Sequence, residues 1–142
     1  DLALLRGVAR ELRALSGGDR VLLTQDTYLA VEAGMSVPSG LEMGPFSYFP
    51  ALSDAEAAKQ HIMNKSRMAA LLEAAPAAVA AYSGYGFAVS APVMDEVAFE
   101  DRQFFLGLLG KNYDFAQEVP CFGQNSTTLQ ILARRKVPGH GD

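Results

Sequence analysis

The chain has 142 residues, of which 49% are hydrophobic and 20% are charged, a composition typical of one globular domain with a substantial core. Its formal net charge of −4 argues against nucleic acid as a partner, because phosphate binding requires a basic face. The single cysteine, Cys121, excludes an internal disulfide and a multi-cysteine metal site. The most apolar run, Met68 to Ala81, is too short to span a bilayer, so we expect a soluble domain.

The first part of the chain predicts a helix, a buried strand and a second helix. Apolar residues recur at spacings of three and four from Leu2 to Leu15, which predicts an amphipathic helix. Arg20 to Thr24 is a short apolar run of the kind that is buried on both faces of a parallel sheet. Asp26 or Thr27 can cap a short second helix that ends before Gly34.

The stretch from Gly34 to Pro50, called here the central loop, can be neither a helix nor an ordinary strand. Its three prolines lack a backbone donor and push the preceding residues towards extended conformations. It also carries a large apolar load: Leu41, Met43, Phe46, Tyr48 and Phe49. Long loops without secondary structure are usually functional, so we expect the central loop to bind a ligand or to dock against a partner.

The second part of the chain predicts two helices, a buried strand and a closing hairpin. A capping box at Ser53 and Glu56 begins a long helix that continues to about Ala74. The later predicted elements are a strand, a helix and two antiparallel strands: Ala77 to Tyr82, Phe99 to Leu109, Tyr113 to Phe122, and Thr128 to Arg135.

These elements predict an α/β fold, specifically a three-layer, Rossmann-like small domain with a mainly parallel sheet and a C-terminal antiparallel hairpin. We expect residues 1–136 to form a single domain and residues 137–142 to form a flexible tail. The two buried apolar strands should be parallel, adjacent or nearly so, and buried on both faces.

Ligands of open α/β sheets collect where the parallel strands end. We expect three segments to converge there: Thr24 to Asp26, the central loop, and Ser83 to Tyr85. The polar candidates for that edge are Asp26, Glu42, Tyr48 and Tyr85. Two carboxylates in one cleft could perform acid–base chemistry or hold a cation. The alternative is that Asp26 caps its helix and Glu42 accepts from loop amides. We favour the alternative, because capping is the ordinary role of an aspartate at that position.

Patterns for catalysis by this chain alone are absent from the sequence. There is no G-x-S-x-G elbow, no P-loop and no G-x-G-x-x-G turn. The two histidines, His61 and His140, fall in a predicted helix and in the tail, which leaves a zinc site short of ligands. We therefore predict no catalytic residue, no metal and no cofactor.

The large side chains of the central loop form a second candidate surface. Met43, Phe46, Tyr48 and Phe49 are many large groups for one loop to bury against a small domain. Some of them should remain exposed as an apolar patch, and such patches mark contacts with partners or membranes. The alternative is that all four are core residues and that the loop covers the sheet.

From Val21 to Pro50 the sequence VLLTQDTYLAVEAGMSVPSGLEMGPFSYFP resembles the start of the C-terminal soluble domain of some bacterial membrane glycosyltransferases. These enzymes depend on lipid-phosphate sugars and are related to protein O-mannosyltransferases and lipid A aminoarabinose transferases. Asp26, Ala30, Gly34 and Pro38 match the family's order of strand, helix, small residue and proline-containing loop. The segment GLEMGPFSYFP is the most distinctive part of the match.

The resemblance implies an accessory role, in which a preceding multi-span membrane portion carries the transfer chemistry. The domain would lie at the periplasmic or outer face of the cell membrane. Its partner would be the membrane-spanning portion of the same polypeptide, with lipid headgroups or a glycan acceptor as further candidates. Two other functions remain open, namely a small-ligand-binding α/β domain that uses the strand-end crevice, and a free-standing interaction protein.

Overall fold

The computed structural model describes residues 1–83, 98–122 and 127–136, and it has an α/β fold. The expected tail, residues 137–142, lies outside the described residues. The elements, in chain order, are α1 (Leu2–Ser16), β1 (Leu22–Leu23), α2 (Thr27–Ala33), a 3-10 turn (Gly44–Ser47), α3 (Asp54–Lys59), α4 (Lys65–Ala74), β2 (Val79–Tyr82), α5 (Phe99–Asn112), β3 (Tyr113–Phe122) and β4 (Thr127–Arg134). None of the described helices is both long and apolar enough to cross a membrane.

The four described strands form one mixed sheet in the order β1-β2-β4-β3. β1 and β2 are parallel, with Leu22 opposite Val79 and Leu23 opposite Ala80, and all four of these residues are fully buried. This confirms the expected parallel, buried pair. The other two pairings, β2 with β4 and β3 with β4, are antiparallel.

The sheet is thus mixed, whereas the sequence led us to expect a mainly parallel one. The closing hairpin places β4 beside β2, on the side away from β1. Its strands have 10 and 8 residues, while the parallel strands have only 2 and 4. Antiparallel pairing therefore dominates, because the two long strands pair from Tyr113 opposite Arg134 to Phe122 opposite Thr127, with two register shifts between.

The sheet separates two apolar clusters, because successive side chains of a strand point to opposite faces. Leu22 packs in one cluster with Leu12 of α1 and with residues of α2. Leu23 packs in the other with Leu72 of α4 and Phe105 of α5. Helices therefore cover both faces of the sheet, and this leaves the edges of the sheet as the places where polar groups can meet solvent.

The predicted long helix between Ser53 and Ala74 is wrong, because the structure divides it into α3 and α4. The capping box is confirmed: the Ser53 hydroxyl accepts from the Glu56 N–H at 3.2 Å. Asn64 begins α4 as a new cap, since its side chain accepts from the Arg67 N–H at 3.0 Å. It also donates to the Leu52 carbonyl at 3.1 Å, which fixes the connection between the helices.

The break between α3 and α4 serves a backbone contact with the central loop. The Met63 N–H donates to the Ser47 carbonyl at 2.8 Å, and the Phe49 N–H donates to the Met63 carbonyl at 2.8 Å. A continuous helix would use these groups internally. Tertiary pairing with the loop therefore overrides the local helical pattern.

The edge at which β1 and β2 begin is closed by structural hydrogen bonds. Asp19 accepts from the Val21 N–H at 3.1 Å and from the Ala78 N–H at 2.8 Å. Arg134 donates to the Ala75 carbonyl at 2.9 Å. Arg135 donates to two carbonyls in the last turn of α5. These contacts satisfy helix and strand ends, so this edge is structural.

Replacing His61 by glycine should stabilise the protein. His61 has a φ of 56°, a left-handed conformation that strains residues with a Cβ and suits glycine. We expect His61→Gly to raise the free energy of unfolding by up to about 1 kcal/mol, as measured by urea denaturation.

The matched control is Ala58→Gly, which places the same residue at an exposed position of α3. It should lower the free energy of unfolding by about 1 kcal/mol, because glycine is unfavourable in a helix interior. Equal losses in both variants would contradict a left-handed turn at His61.

Candidate functional site

Four strand termini meet at the edge opposite the closed one. β1 and β2 end there because they are parallel, β4 begins there because it is antiparallel to β2, and β3 ends there because it is antiparallel to β4. This strand-end edge carries Thr24 to Asp26 after β1, Ser83 after β2, Phe122 at the end of β3 and Thr127 at the start of β4. Ligands of open α/β sheets bind at the ends of the parallel strands.

Asp26 joins the ends of β1 and β2. Its carboxylate accepts hydrogen bonds from the hydroxyl and from the backbone N–H of Ser83. Its own N–H donates to the Thr24 hydroxyl at 3.0 Å. Asp26 stands at the cap position of α2, yet its side chain accepts no hydrogen bond from that helix, all of which is described. The capping interpretation of Asp26 is therefore wrong.

Burial raises the pKa of the Asp26 carboxyl from 3.8 to about 6, although the hydrogen bonds from Ser83 lower it. Desolvation therefore outweighs hydrogen bonding at this carboxyl. The same surroundings act on Tyr28, because burial, and then the charge of Asp26, raise the pKa of Tyr28 to about 12. Strongly perturbed titratable groups at a strand-end crevice mark a candidate functional site.

An aromatic pair stands beside the carboxylate. The rings of Tyr28 and Phe122 are stacked, with centroids 6.2 Å apart and an interplanar angle of 19°. Tyr28 remains 45% exposed. The strand-end edge therefore presents an accessible aromatic ring next to a largely buried carboxylate.

The central loop packs against the same edge. Gly44 has a φ of +59°, and a Cβ at this position would lie 3.1 Å from the Gln25 carbonyl oxygen and 3.3 Å from the Thr27 hydroxyl oxygen. The loop is anchored nearby by Leu41 and Tyr48, which are buried. The expected convergence of the loop with the segment after β1 is confirmed.

Glu42 behaves as the favoured interpretation expected. It is exposed, and its carboxylate accepts from the Gly40 N–H at 2.7 Å. Among the described residues, no hydrogen bond or ion pair joins Glu42 to Asp26. The two-carboxylate arrangement needed for paired acid–base chemistry is therefore not formed by these side chains.

The large side chains of the central loop divide into exposed and buried groups. Met43 is 59% exposed and Phe46 is 47% exposed. Phe49 is half-buried. Tyr48 lies in the core against Phe105, with ring centroids 5.5 Å apart and an interplanar angle of 90°, so Tyr48 is a core residue. Met43 and Phe46 are the loop residues that a partner can reach.

One residue of the expected site, Tyr85, lies outside the described residues. Within residues 1–83, 98–122 and 127–136, no group of three or more His, Cys, Asp or Glu residues could hold a metal ion.

Ser83 belongs to a segment that was expected at this edge, because it follows directly after a buried apolar strand, and its hydrogen bonds to Asp26 confirm that place. Sequence reasoning missed Tyr28 and Phe122 as parts of this site. Tyr28 stands two residues after Asp26, but its stacking on Phe122 depends on the order of the strands. No local sequence pattern predicts the order of the strands in the sheet.

Comparison with protein-family models, with curated proteins and with solved structures finds no match to this chain.

Alanine at Gly44 should displace the central loop from the strand-end edge. Both Gly44 and Gly34 have positive φ, but a Cβ on Gly34 would meet nothing within 4 Å. Gly34→Ala therefore carries only the backbone strain, about 1 kcal/mol. Gly44→Ala adds a clash with the Gln25 backbone, and we expect it to cost at least about 1 kcal/mol more in urea unfolding. Equal costs would contradict the close approach.

Asparagine at Asp26 should stabilise the protein above pH 6. The folded-state pKa of Asp26 is raised, so the folded state binds more protons than the unfolded state between pH 3.8 and about 6. Wild-type stability therefore falls as pH rises through this window, and the loss is complete above it. The shift corresponds to about 3 kcal/mol at most, which Asp26→Asn should recover.

Urea unfolding of both proteins from pH 4 to pH 8 measures this difference, which should grow towards pH 6 and then level off. In the Ser83→Ala variant, the pKa of Asp26 should rise further in an NMR titration, because the Ser83 hydroxyl lowers it. A stability difference that does not change with pH would contradict the buried carboxylate.

Proposed function

We propose that this chain is a non-catalytic accessory domain of a membrane glycosyltransferase. It would lie at the periplasmic or outer face of the cell membrane, where it docks on the membrane-spanning portion of the same polypeptide. We also propose that its fold is a three-layer, Rossmann-like one with an antiparallel hairpin added. The observation that supports docking is that the central loop, although anchored in the core, holds Met43 and Phe46 outward.

We infer that the exposed surface of the loop continues onto α2. Thr27 contacts the loop at Gly44, and Val31 lies one helical turn further along the same face of α2. Val31 is 78% exposed. We call Val31, Met43 and Phe46 the docking patch. Exposed apolar side chains on a loop that buried residues fix in place favour contact with a partner, because exposed apolar patches usually mark interaction sites.

A non-catalytic role is supported by the polar groups of the strand-end edge. The hypothesis of acid–base catalysis required two carboxylates in one cleft. The Glu42 carboxylate instead accepts a hydrogen bond from the Gly40 amide. Asp26 is bound to Ser83, and burial gives it its high pKa. In this proposal the transfer chemistry belongs to the membrane portion, and the domain controls access of the acceptor or holds that portion in register.

A second candidate function is the binding of a small ligand at the strand-end edge. The largely buried carboxylate of Asp26 beside the exposed ring of Tyr28 favours it. The two functions are compatible, because the docking patch and Asp26 lie on neighbouring segments of the same edge.

A pair of matched substitutions tests the docking role. Phe46 and Phe115 are both exposed, at 47% and 64%, but Phe115 lies near the start of β3, away from the strand-end edge. Serine at either position should lower the free energy of unfolding of this domain by a similar amount, about 1–2 kcal/mol, because each ring is only partly buried. In the complete polypeptide, Phe46→Ser should lower sugar transfer roughly tenfold, the effect of losing one interface anchor. Phe115→Ser should leave transfer unchanged.

Unaltered transfer in Phe46→Ser, or an equal loss in Phe115→Ser, would overturn the docking patch. A reading frame that encodes no membrane spans before Asp1 would overturn the membrane-enzyme assignment as a whole.

A further inference from the structure

Asp26 is a largely buried carboxylate whose pKa is set by burial and by Ser83, with no positive charge of the described residues among the causes. The ion pairs Arg6–Glu32, Lys65–Asp101 and Arg135–Asp114 involve other carboxylates. The stretches 84–97 and 123–126, which follow β2 and β3, contain no lysine or arginine. Hydrogen bonds from Ser83 hold the carboxylate, but they do not neutralise its charge. A buried charge without a counter-charge is costly.

Arg102, the arginine of α5, belongs to the other side of the sheet. Tyr82 packs against the cluster of α4 and α5, and the charge of Arg102 acts on Tyr82. Asp26 immediately precedes α2, and the ring of nearby Tyr28 stacks on Phe122, which packs in the cluster of α1 and α2. The Asp26 carboxylate therefore lies towards the side of the sheet that α1 and α2 cover.

We propose that the strand-end edge at Asp26 is a binding site for an organic cation, an ammonium or guanidinium group that pairs with the carboxylate and contacts the ring of Tyr28. The site goes beyond the docking role, because a free amine can occupy it without any partner protein. Charge-assisted hydrogen bonds to a carboxylate are strong, and a cation beside an accessible tyrosine ring gains a further attraction.

The carboxylate has acceptor capacity left for such a ligand. An ionised carboxylate offers roughly four acceptor positions, and the hydroxyl and N–H of Ser83 occupy two of them. These two bonds fix the orientation of the group, while the ring of Tyr28, which is stacked on Phe122, fixes the second contact. A ligand with a positive N–H group and an apolar stem satisfies both.

The number of oxygen ligands at the site favours an organic cation over a hard metal ion. Calcium takes six to eight oxygen ligands and magnesium demands a near-octahedral set. Asp26 supplies one carboxylate, and the described residues hold no cluster of three acidic or metal-binding side chains. An ammonium or guanidinium group needs only the acceptors that this site offers.

An NMR titration of the Asp26 carboxyl with butylammonium chloride tests the proposal. Because the cation binds the ionised carboxylate, it should lower the pKa of Asp26 by about one unit at a concentration ten times its Kd. Backbone amide shifts should move at Gln25, Thr27 and Ser83. Sodium chloride at equal ionic strength and neutral butanol at equal concentration are the controls, and neither should produce these changes.

Two variants make the test specific. Asp26→Asn removes the charge, and it should abolish the amide shifts. Tyr28→Leu keeps an apolar side chain but removes the ring, and it should weaken butylammonium binding about threefold or more. Undiminished binding by Asp26→Asn, or an equal pKa change with sodium chloride, would overturn the site. Neither result bears on the effect of Phe46→Ser, so failure of this site and failure of the docking role are distinguishable.

The same titration distinguishes two sources of the cation. N-acetyl-lysine methylamide and N-acetyl-arginine methylamide carry the groups that a partner protein would present. If either binds more than tenfold more tightly than butylammonium, the site takes a basic side chain. If butylammonium binds equally well or better, the site takes a free amine. Both results support a cation site, whereas no binding by any of the three probes would overturn it.

Discussion

The strand-end edge depends on one short contact, the parallel pairing of β1 with β2. Only Leu22 and Leu23 of β1 take part, opposite Val79 and Ala80. Two residue pairs are too few to hold a sheet, and the pairing persists because helical layers bury it on both faces. The other side of β1 is closed by Ser36, whose carbonyl accepts from the Leu22 N–H at 2.8 Å. This pairing brings the ends of the two strands, and with them Asp26 and Ser83, into contact.

The two edges of the sheet differ in how their polar groups are satisfied. At the edge where β1 and β2 begin, Asp19, Arg134 and Arg135 each bind backbone groups of strand or helix ends. At the strand-end edge, the carboxylate of Asp26 binds Ser83 and keeps a raised pKa. Polar side chains that bind backbone ends add stability, while a desolvated carboxylate reduces it. The polar groups at the first edge therefore stabilise the fold, whereas the strand-end edge keeps a desolvated carboxylate that the fold does not need.

The sequence allowed prediction of the elements whose signals are local. The amphipathic helix α1, the capping box at Ser53 and the buried pair of strands could all be predicted from the sequence, and the structure contains them. The break between α3 and α4 could not be predicted, because it depends on the pairing of Met63 with Ser47 of the central loop. Ser83 reaches Asp26 from a distant part of the chain, and no local pattern distinguishes that contact from ordinary capping. Likewise, composition could not divide the loop into exposed residues such as Met43 and buried residues such as Tyr48, since burial depends on packing against distant parts of the chain.

The cost of Asp26 is the strongest physical argument that the strand-end edge has a function. An asparagine would occupy similar space and could accept from Ser83 without carrying a charge, so neither packing nor hydrogen bonding explains a carboxylate there. The helix that follows does not explain it either, because its backbone makes no hydrogen bond with the Asp26 side chain. Proteins depart from their most stable arrangement chiefly at functional sites. The desolvated negative charge of Asp26, next to an accessible aromatic ring and an exposed apolar patch, is such a departure. Because this charge is negative, a ligand that pairs with it must be positively charged.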